Sequence, residues 1–172
     1  APYPCVLKPR RLAASRGVIR ANGPAEFVAA ARRIGRILRQ PDVPQGGNDA
    51  FLVEVFVPGP EVALEGLLDG GRLQVLALFD KPDPLDGPFF EETIYVTPSR
   101  LPEEAQRAIA DCSQAAAHAL GLTNGPVHAE LRWNDRGPWL IELAARPIGG
   151  RCSAVLRFGV DAEPLSLEAL HL

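Results

Sequence analysis

The chain has 172 residues, of which 47% are hydrophobic and 23% charged, and its formal net charge is −3. This length is typical of one domain or two small lobes, and the composition excludes disordered, collagen-like and coiled-coil chains. The longest uncharged stretch, residues 112–129, is interrupted by glycine, asparagine and proline. It therefore does not predict a transmembrane helix, which needs about 20 mostly apolar residues.

The cysteine content bears on the redox environment of the protein, and the methionine content bears on whether the sequence is a fragment. Cys5, Cys112 and Cys152 are odd in number and share no C-x-x-C spacing, so neither a disulfide framework nor a zinc site is indicated. A reducing, cytoplasmic location is the expectation. The sequence has no methionine and no basic-then-apolar leader, so we expect a fragment of a longer protein without a signal peptide.

Charge is distributed unevenly along the chain. Residues 1–39 hold nine Lys or Arg against one acid, whereas the remainder holds nine against twenty. The basic segment 25–39 also has an apolar stripe at helical spacing: Phe27, Val28, Ala31, Ile34, Ile37 and Leu38. We interpret the arginines as the solvated face of this helix. Because few aromatic residues lie among them, neither nucleic acid nor a membrane is expected as a partner.

The predicted elements alternate hairpins with two helices. A first strand at 3–7 ends at Lys8-Pro9, since proline disfavours helix at the preceding residue. Pro24 opens a helix that runs to about Arg39, a loop follows at 40–49, and a second helix lies between Pro102 and Gly121. Further extended segments are predicted at 18–20, 50–57, 61–68, 72–79 and 93–97, followed by two strands within 127–146 and a tail. This order favours an α+β fold over a doubly wound one.

The hairpin within 127–146 is the most informative stretch. A three-residue loop at 135–137 predicts the pairs Asn134–Pro138, Arg132–Leu140 and Glu130–Glu142. One face then carries Ala129, Leu131, Trp133, Trp139, Ile141 and Leu143. The other face carries His128, Glu130, Arg132, Glu142 and Arg146.

Two glutamates directly opposite each other are unfavourable unless a cation lies between them. Carboxylate oxygens suit Mg²⁺, which proteins typically hold with one or two carboxylates and substrate phosphates. The hairpin therefore predicts a magnesium site at Glu130 and Glu142. The alternative is a solvated sheet face on which Arg132 screens the two charges.

Several motifs in order along residues 3–158 resemble one family. They are Lys8-Pro9, Ser15-Arg16-Gly17-Val18, LVEVFVPGPE at 52–61, FDKPDPLDGPFFEE at 79–92 followed by Thr97-Pro98-Ser99, and the two glutamates within HAEL and IELAARPIGG. Together they resemble the ATP-grasp superfamily, and most closely its carboxylate–amine ligases, including L-amino-acid ligases.

The resemblance implies an α+β, ATP-grasp fold in which two lobes with antiparallel sheets grip the nucleotide. Residues 1–57 would form the smaller lobe, with a phosphate loop and an adenine hinge at its end. Residues 58–172 would form the larger lobe, with the metal site and a truncated C-terminus. An upstream α/β domain of the same protein would be missing.

The same resemblance implies roles for individual residues. Lys8 and the loop Ser15, Arg16 and Gly17 would contact the ATP phosphates, with Lys8 also reaching the adenine. Glu54, Val55, Phe56 and Val57 would hold the adenine edge, and Glu61 would bind the ribose hydroxyls. Lys81 would contact phosphate, Glu130 and Glu142 would ligate Mg²⁺, and Arg146 would lie near the acceptor carboxylate and the transferred phosphoryl group.

The implied reaction is ATP-dependent ligation of a small-molecule carboxylate and an amine, amino acids among them, through an acyl phosphate. Two alternatives remain open. One is a catalytically impaired nucleotide-binding module, because Leu12, Ala13 and Ala14 make the phosphate loop poor in glycine and Ala144 replaces an asparagine common in relatives. The other is an ATP-grasp enzyme of the purine-precursor carboxylation type.

Overall fold

A computed structural model describes residues 2–44, 49–91, 94–159 and 165–170. These residues divide into two compact units. The first comprises the described residues of 1–58 and 83–93, and the second those of 59–82 and 94–172. The sequence-based division places 83–93 and Pro58 in the larger lobe, so the two divisions differ in this segment and at Pro58.

The first unit is a three-stranded antiparallel sheet with one helix. The sheet has the order β2–β1–β3, and its strands are β1 (Cys5–Pro9), β2 (Ile19–Ala21) and β3 (Phe51–Val55). Helix α1 (Pro24–Leu38) begins with proline, whose missing N–H costs nothing in the first turn. It buries Ala30, Ile34 and Leu38 against this sheet, whereas Val28, which the predicted stripe included, is 47% exposed.

The second unit contains a four-stranded antiparallel sheet of order β5–β4–β6–β7. Its strands are β4 (Glu61–Asp69), β5 (Arg72–Lys81), β6 (Gly125–Asn134) and β7 (Gly137–Ala144). Helix α2 (Glu103–Ala119) covers one face, where Ile109 packs against Val62 and Leu131. β4 is therefore a central strand that is buried on both faces.

The C-terminal segment packs on the opposite face of this sheet. It forms α3 (Gly150–Val155), β8 (Arg157–Phe158), β9 (Leu165–Ser166) and α4 (Leu167–Leu170). Ile148 and Leu167 pack there against Ala63 and Phe79. The sequence predicted only a tail here, because short segments of this kind carry too few residues for a periodic pattern.

Three predictions fall partly on residues that are not described. Thr93 of the predicted strand 93–97 and Glu92 of the motif at 79–92 lie outside the described residues, as do residues 45–48 of the predicted loop. Of the rest of 93–97, Val96 forms an isolated bridge with Asp80. Among the described residues, no helix combines the length and apolar character that crossing a membrane requires.

The β6–β7 hairpin pairs Glu130 with Glu142, as predicted, but the register between this pair and the turn differs from the predicted one. The loop has two residues, so Asn134 pairs with Gly137 rather than Pro138, and Arg132 pairs with Trp139 rather than Leu140. A bulge between Glu130 and Leu131 then restores the predicted pair. Trp139 consequently shares the face of Arg132 and not the apolar face to which the sequence assigned it.

Candidate functional site

A charged cluster lies where three strands of the second unit meet. Glu61, the first residue of β4, stands opposite Lys81 of β5 on one side and Arg132 of β6 on the other. Lys81 Nζ lies 2.8 Å from Glu61 Oε1, and Arg132 Nε lies 3.0 Å from Glu61 Oε2. All three residues are at most 7% exposed. The strand register thus places a carboxylate between two cations away from water.

Lys81 connects this cluster to the hairpin glutamates. Its ammonium also donates to Glu130 Oε1 at 3.0 Å and lies 5.1 Å from the ring centroid of Tyr95. The sequence placed Lys81 in a polar loop at 80–87. The structure instead makes it the buried last residue of β5, because its pairing with Glu61 extends the strand.

The two hairpin glutamates differ in their surroundings. Glu130 lies in β6 with its side chain 18% exposed, whereas Glu142 is exposed on the edge strand β7. Among the described residues, no group of three or more His, Cys, Asp or Glu could hold a metal ion. The donor set still fits Mg²⁺, because this ion is commonly held by one or two carboxylates and completes its shell with phosphate and water oxygens.

His128 adds a further cation beside Glu130. Its Nε2 lies 3.6 Å from Glu130 Oε1, and its Nδ1 lies 3.4 Å from Glu65 Oε2. Burial opposes the charged form, but the carboxylates of Glu130 and Glu65 outweigh it and raise the pKa of His128 to about 9. Burial likewise opposes ionisation of Glu130, yet His128 and Lys81 lower the pKa of its carboxyl to about 2. Both groups are therefore charged at neutral pH.

Sequence reasoning missed Glu65. This residue is fully buried in the middle of β4, where its Oε2 accepts a hydrogen bond from the backbone N–H of Ile148 at 2.9 Å. Its Oε1 has no hydrogen-bond partner among the described residues. A signal was present, since a lone acid within the apolar run VALEGLL is unusual in a strand buried on both faces.

Arg146 lies in the loop that follows β7. Its side chain is exposed, and its guanidinium donates to the carbonyl of Pro147. Ala144, two residues earlier, stands opposite His128. The short distance along the chain places Arg146 just beyond the strand that carries Glu142.

In the first unit the structure brings Lys8 and Glu54 together. They lie on the neighbouring strands β1 and β3, and Lys8 Nζ is 2.8 Å from Glu54 Oε2. After Glu54, Val55 is 54% exposed, whereas Phe56 packs against Val6. Val57 is partly buried.

The predicted phosphate loop adopts a strained backbone despite its low glycine content. Ala14 and Ser15 both have φ of 54°, the left-handed region that glycine tolerates best, and Gly17 has φ of 79°. Arg16 pairs with Asp42, at 2.6 Å, and with Gln40. Hydrogen bonding to Arg16 lowers the pKa of Asp42. The side chain of Arg16 thus connects the loop to residues 40–42 through hydrogen bonds.

The comparisons with known proteins agree with this architecture. A family model described as an ATP-grasp domain matches residues 1–155. The chain therefore belongs to the ATP-grasp family, and the predicted family and α+β fold class are confirmed.

Individual relatives show which ATP-grasp proteins this chain resembles. The chain is 30% identical over 184 residues to alanine–anticapsin ligase of Bacillus subtilis, covering 97% of this chain and 38% of that protein. It is 35% identical to the crystal structure of L-amino acid ligase from Bacillus licheniformis, with a TM-score of 0.68 over 85% of this chain and 32% of that one. A biotin carboxylase domain of Hydrogenobacter thermophilus, crystallised with MgADP, shares the fold at 19% identity and a TM-score of 0.69, over 92% of this chain and 34% of that one. The chain spans less than two fifths of the length of each.

Proposed function

We propose that this chain is the nucleotide-binding portion of an ATP-dependent carboxylate–amine ligase. The observation that carries the proposal is the Glu130–Glu142 pair on adjacent strands with Lys81 bonded to Glu130. A pair of carboxylates beside a buried lysine suits a divalent cation and the phosphates that accompany it. The names of two similar proteins, alanine–anticapsin ligase and L-amino acid ligase, support the same reaction class.

The proposed reaction has two steps that balance in atoms and charge. An oxygen of the substrate carboxylate attacks the γ-phosphorus of ATP, and the bond to the β,γ-bridging oxygen breaks to give an acyl phosphate and ADP. The nitrogen of an amine then attacks the acyl carbon, phosphate leaves, and the amine loses a proton as the amide forms. Phosphoryl transfer of this kind depends on positioning and charge neutralisation more than on covalent participation of the protein.

In the second unit, Glu130 and Glu142 would hold Mg²⁺, which would supply neutralisation of phosphate charge. Lys81 would contact a phosphate oxygen from its place beside Glu130. Glu61 would accept hydrogen bonds from the ribose hydroxyls, with its carboxylate held in place by Lys81 and Arg132. Arg146 would bind the acceptor carboxylate and the transferred phosphoryl group.

In the first unit, Lys8 would bind phosphate and adenine, and Glu54 would orient its ammonium through their ion pair. The segment from Glu54 to Val57 would present backbone groups to the adenine edge. The loop Ser15–Gly17 would cover the phosphates with backbone amides. The N–H of Arg16 already donates to the carbonyl of Ala13, so the amides of Ser15 and Gly17 would make these contacts.

A nucleotide-binding module without catalysis is the second candidate. Ala144 stands opposite His128, at a position for which the ATP-grasp resemblance implies asparagine, so a second Mg²⁺ would have one ligand fewer. Tight phosphate contact is also harder in a loop where Ala14 and Ser15, rather than glycines, take left-handed conformations. Nucleotide binding with no turnover would support this candidate.

The experiment titrates the intact protein with ATP at increasing Mg²⁺ and then measures ADP release when pooled amino acids are added. Glu142→Gln removes one charge at an exposed position, so the fold should persist. We expect this variant to need at least about tenfold more Mg²⁺ for ATP binding and to lose ADP release. Glu103→Gln, an exposed change on α2, is the control and should behave as wild type.

Unchanged Mg²⁺ dependence in Glu142→Gln would remove this residue from the metal site and would refute the proposal. Mg²⁺-dependent ATP binding without ADP release by the intact protein would favour the module over the ligase.

A further inference from the structure

Glu65 is a buried carboxylate to which the proposed reaction assigns no role. It is 0% exposed, lies in the central strand β4, and leaves Oε1 without a hydrogen-bond partner among the described residues. A carboxyl group with an unsatisfied oxygen is costly in a core, and an apolar residue at this position would pack at lower cost. Fold stability alone therefore does not account for a carboxylate here.

The contacts of Glu65 lead to two parts of the candidate site. Towards β6, its Oε2 faces His128 Nδ1 at 3.4 Å, and the opposite ring nitrogen faces Glu130 Oε1 at 3.6 Å. The strand register fixes this arrangement, since Glu65 pairs with His128 directly. The imidazole thus lies between two carboxylates, one deep in the sheet and one in the candidate metal site.

The second contact reaches the loop after β7. Glu65 Oε2 accepts the hydrogen bond of Ile148 N–H at 2.9 Å, and the Ile148 side chain is buried against Ala63 and Phe79. Arg146 precedes Ile148 by two residues. One oxygen atom of Glu65 therefore contacts both the imidazole beside Glu130 and the backbone of the segment that carries Arg146.

We infer that Glu65 is a positioning residue that orients Glu130 through His128 and fixes the loop of Arg146 through Ile148. This inference rests on the proposed function of Glu130 as a magnesium ligand. Groups that hold a metal ligand in place commonly matter to the metal nearly as much as the ligand itself, and their loss costs about 10–100-fold in affinity. Glu65 would act on Mg²⁺ without touching it.

The test measures the Mg²⁺ dependence of ATP binding by calorimetry, with metal-free ATP binding as a second readout. Glu65→Gln keeps the size of the side chain and an oxygen for Ile148 N–H but removes the charge that faces His128. We expect the Mg²⁺ concentration for half-maximal effect to rise about tenfold or more, while metal-free ATP binding changes less than twofold. The exposed control Glu103→Gln should leave both readouts unchanged.

A double-variant cycle separates positioning from simple support of the fold. If Glu65 acts on Glu130 through His128, His128→Gln should raise the Mg²⁺ requirement as well, and the double variant should be little worse than His128→Gln alone. Fully additive effects, or a lowered urea midpoint with unchanged Mg²⁺ dependence, would overturn the inference. If Glu65→Gln does not fold, His128→Gln alone provides the test. An unaltered Mg²⁺ dependence in His128→Gln then overturns the inference.

The responses of wild type and of Glu142→Gln show whether a negative result refutes the positioning role of Glu65 or the proposed function itself. Where wild type binds MgATP, Glu142→Gln is impaired and Glu65→Gln is not, the magnesium site stands and only the positioning role falls. Where wild type shows no Mg²⁺-dependent binding, both are refuted.

Discussion

Lys81→Met tests whether the buried charges of the second unit depend on one another. The lysine side chain is 2% exposed and bonds to Glu61 at 2.8 Å and to Glu130 at 3.0 Å. Removing one partner of a buried ion pair costs about 3–5 kcal/mol, because a charge is left without compensation. Here Arg132 still pairs with Glu61 and His128 still faces Glu130. We therefore expect a loss near the lower limit, about 3 kcal/mol.

The assay is urea unfolding followed by tryptophan fluorescence. The chain has two tryptophans, and both lie in the β6–β7 hairpin, so the signal reports on the second unit. Arg107→Met is the matched control, because it breaks an ion pair whose side chains are 69% and 89% exposed. Such surface pairs contribute at most about 0.5 kcal/mol.

Adding Glu130→Gln to Lys81→Met should recover part of the lost stability, since it removes a carboxylate that the lysine had neutralised. A loss below about 1 kcal/mol in Lys81→Met, or one equal to that of the control, would show that these charges are hydrated and not coupled.

Two further predictions use the same fluorescence assay. In Gly59→Ala the added Cβ would lie 2.1 Å from the backbone oxygen of Trp133, at φ of +117°. The second unit should therefore lose far more stability than in Gly71→Ala, where φ is +84° and no atom of the described residues lies within 4 Å of the added Cβ. Equal losses would mean that backbone conformation alone sets the cost. The raised pKa of His128 stabilises the fold fully below pH 6.5, and this contribution, about 3 kcal/mol, should be lost as pH rises through about 9. His128→Gln should flatten the pH dependence of unfolding between these values, and a slope equal to that of wild type would contradict the assignment.

The sequence predicted elements where a repeating pattern extends over many residues. The proline-led helix α1 and the hairpin of the two tryptophans follow from periodicity and turn chemistry, which are local properties. The hairpin also shows how local rules err, because the predicted loop was one residue too long and the bulge was not predicted, and these two deviations cancelled at Glu130 and Glu142. The sequence thus predicted the pair Glu130–Glu142 correctly from an incorrect register of the residues near the turn.

The candidate site was less predictable, because its contacts join residues far apart in the chain. Lys81 meets a partner 20 residues before it and another 49 residues after it. No local pattern marks such a pairing, and the aspartates next to Lys81 in sequence suggested a solvent-exposed loop instead. Glu65 was missed for a related reason, since an acid in an apolar run is conspicuous only once the run is known to be a central strand.

The arrangement of charges in the cluster gives a reason why a metal would bind at its edge. Among the described residues, the cluster holds the carboxylates of Glu61, Glu65 and the partly buried Glu130, together with the cations Lys81, Arg132 and protonated His128. Each of these carboxylates lies next to at least one cation of the set. Glu142 stands outside this set, opposite Glu130 on the exposed edge strand. A divalent cation arriving with phosphates would therefore meet one carboxylate held in place by its neighbours and one that is free to adjust, an arrangement that favours reversible binding over a permanent structural site.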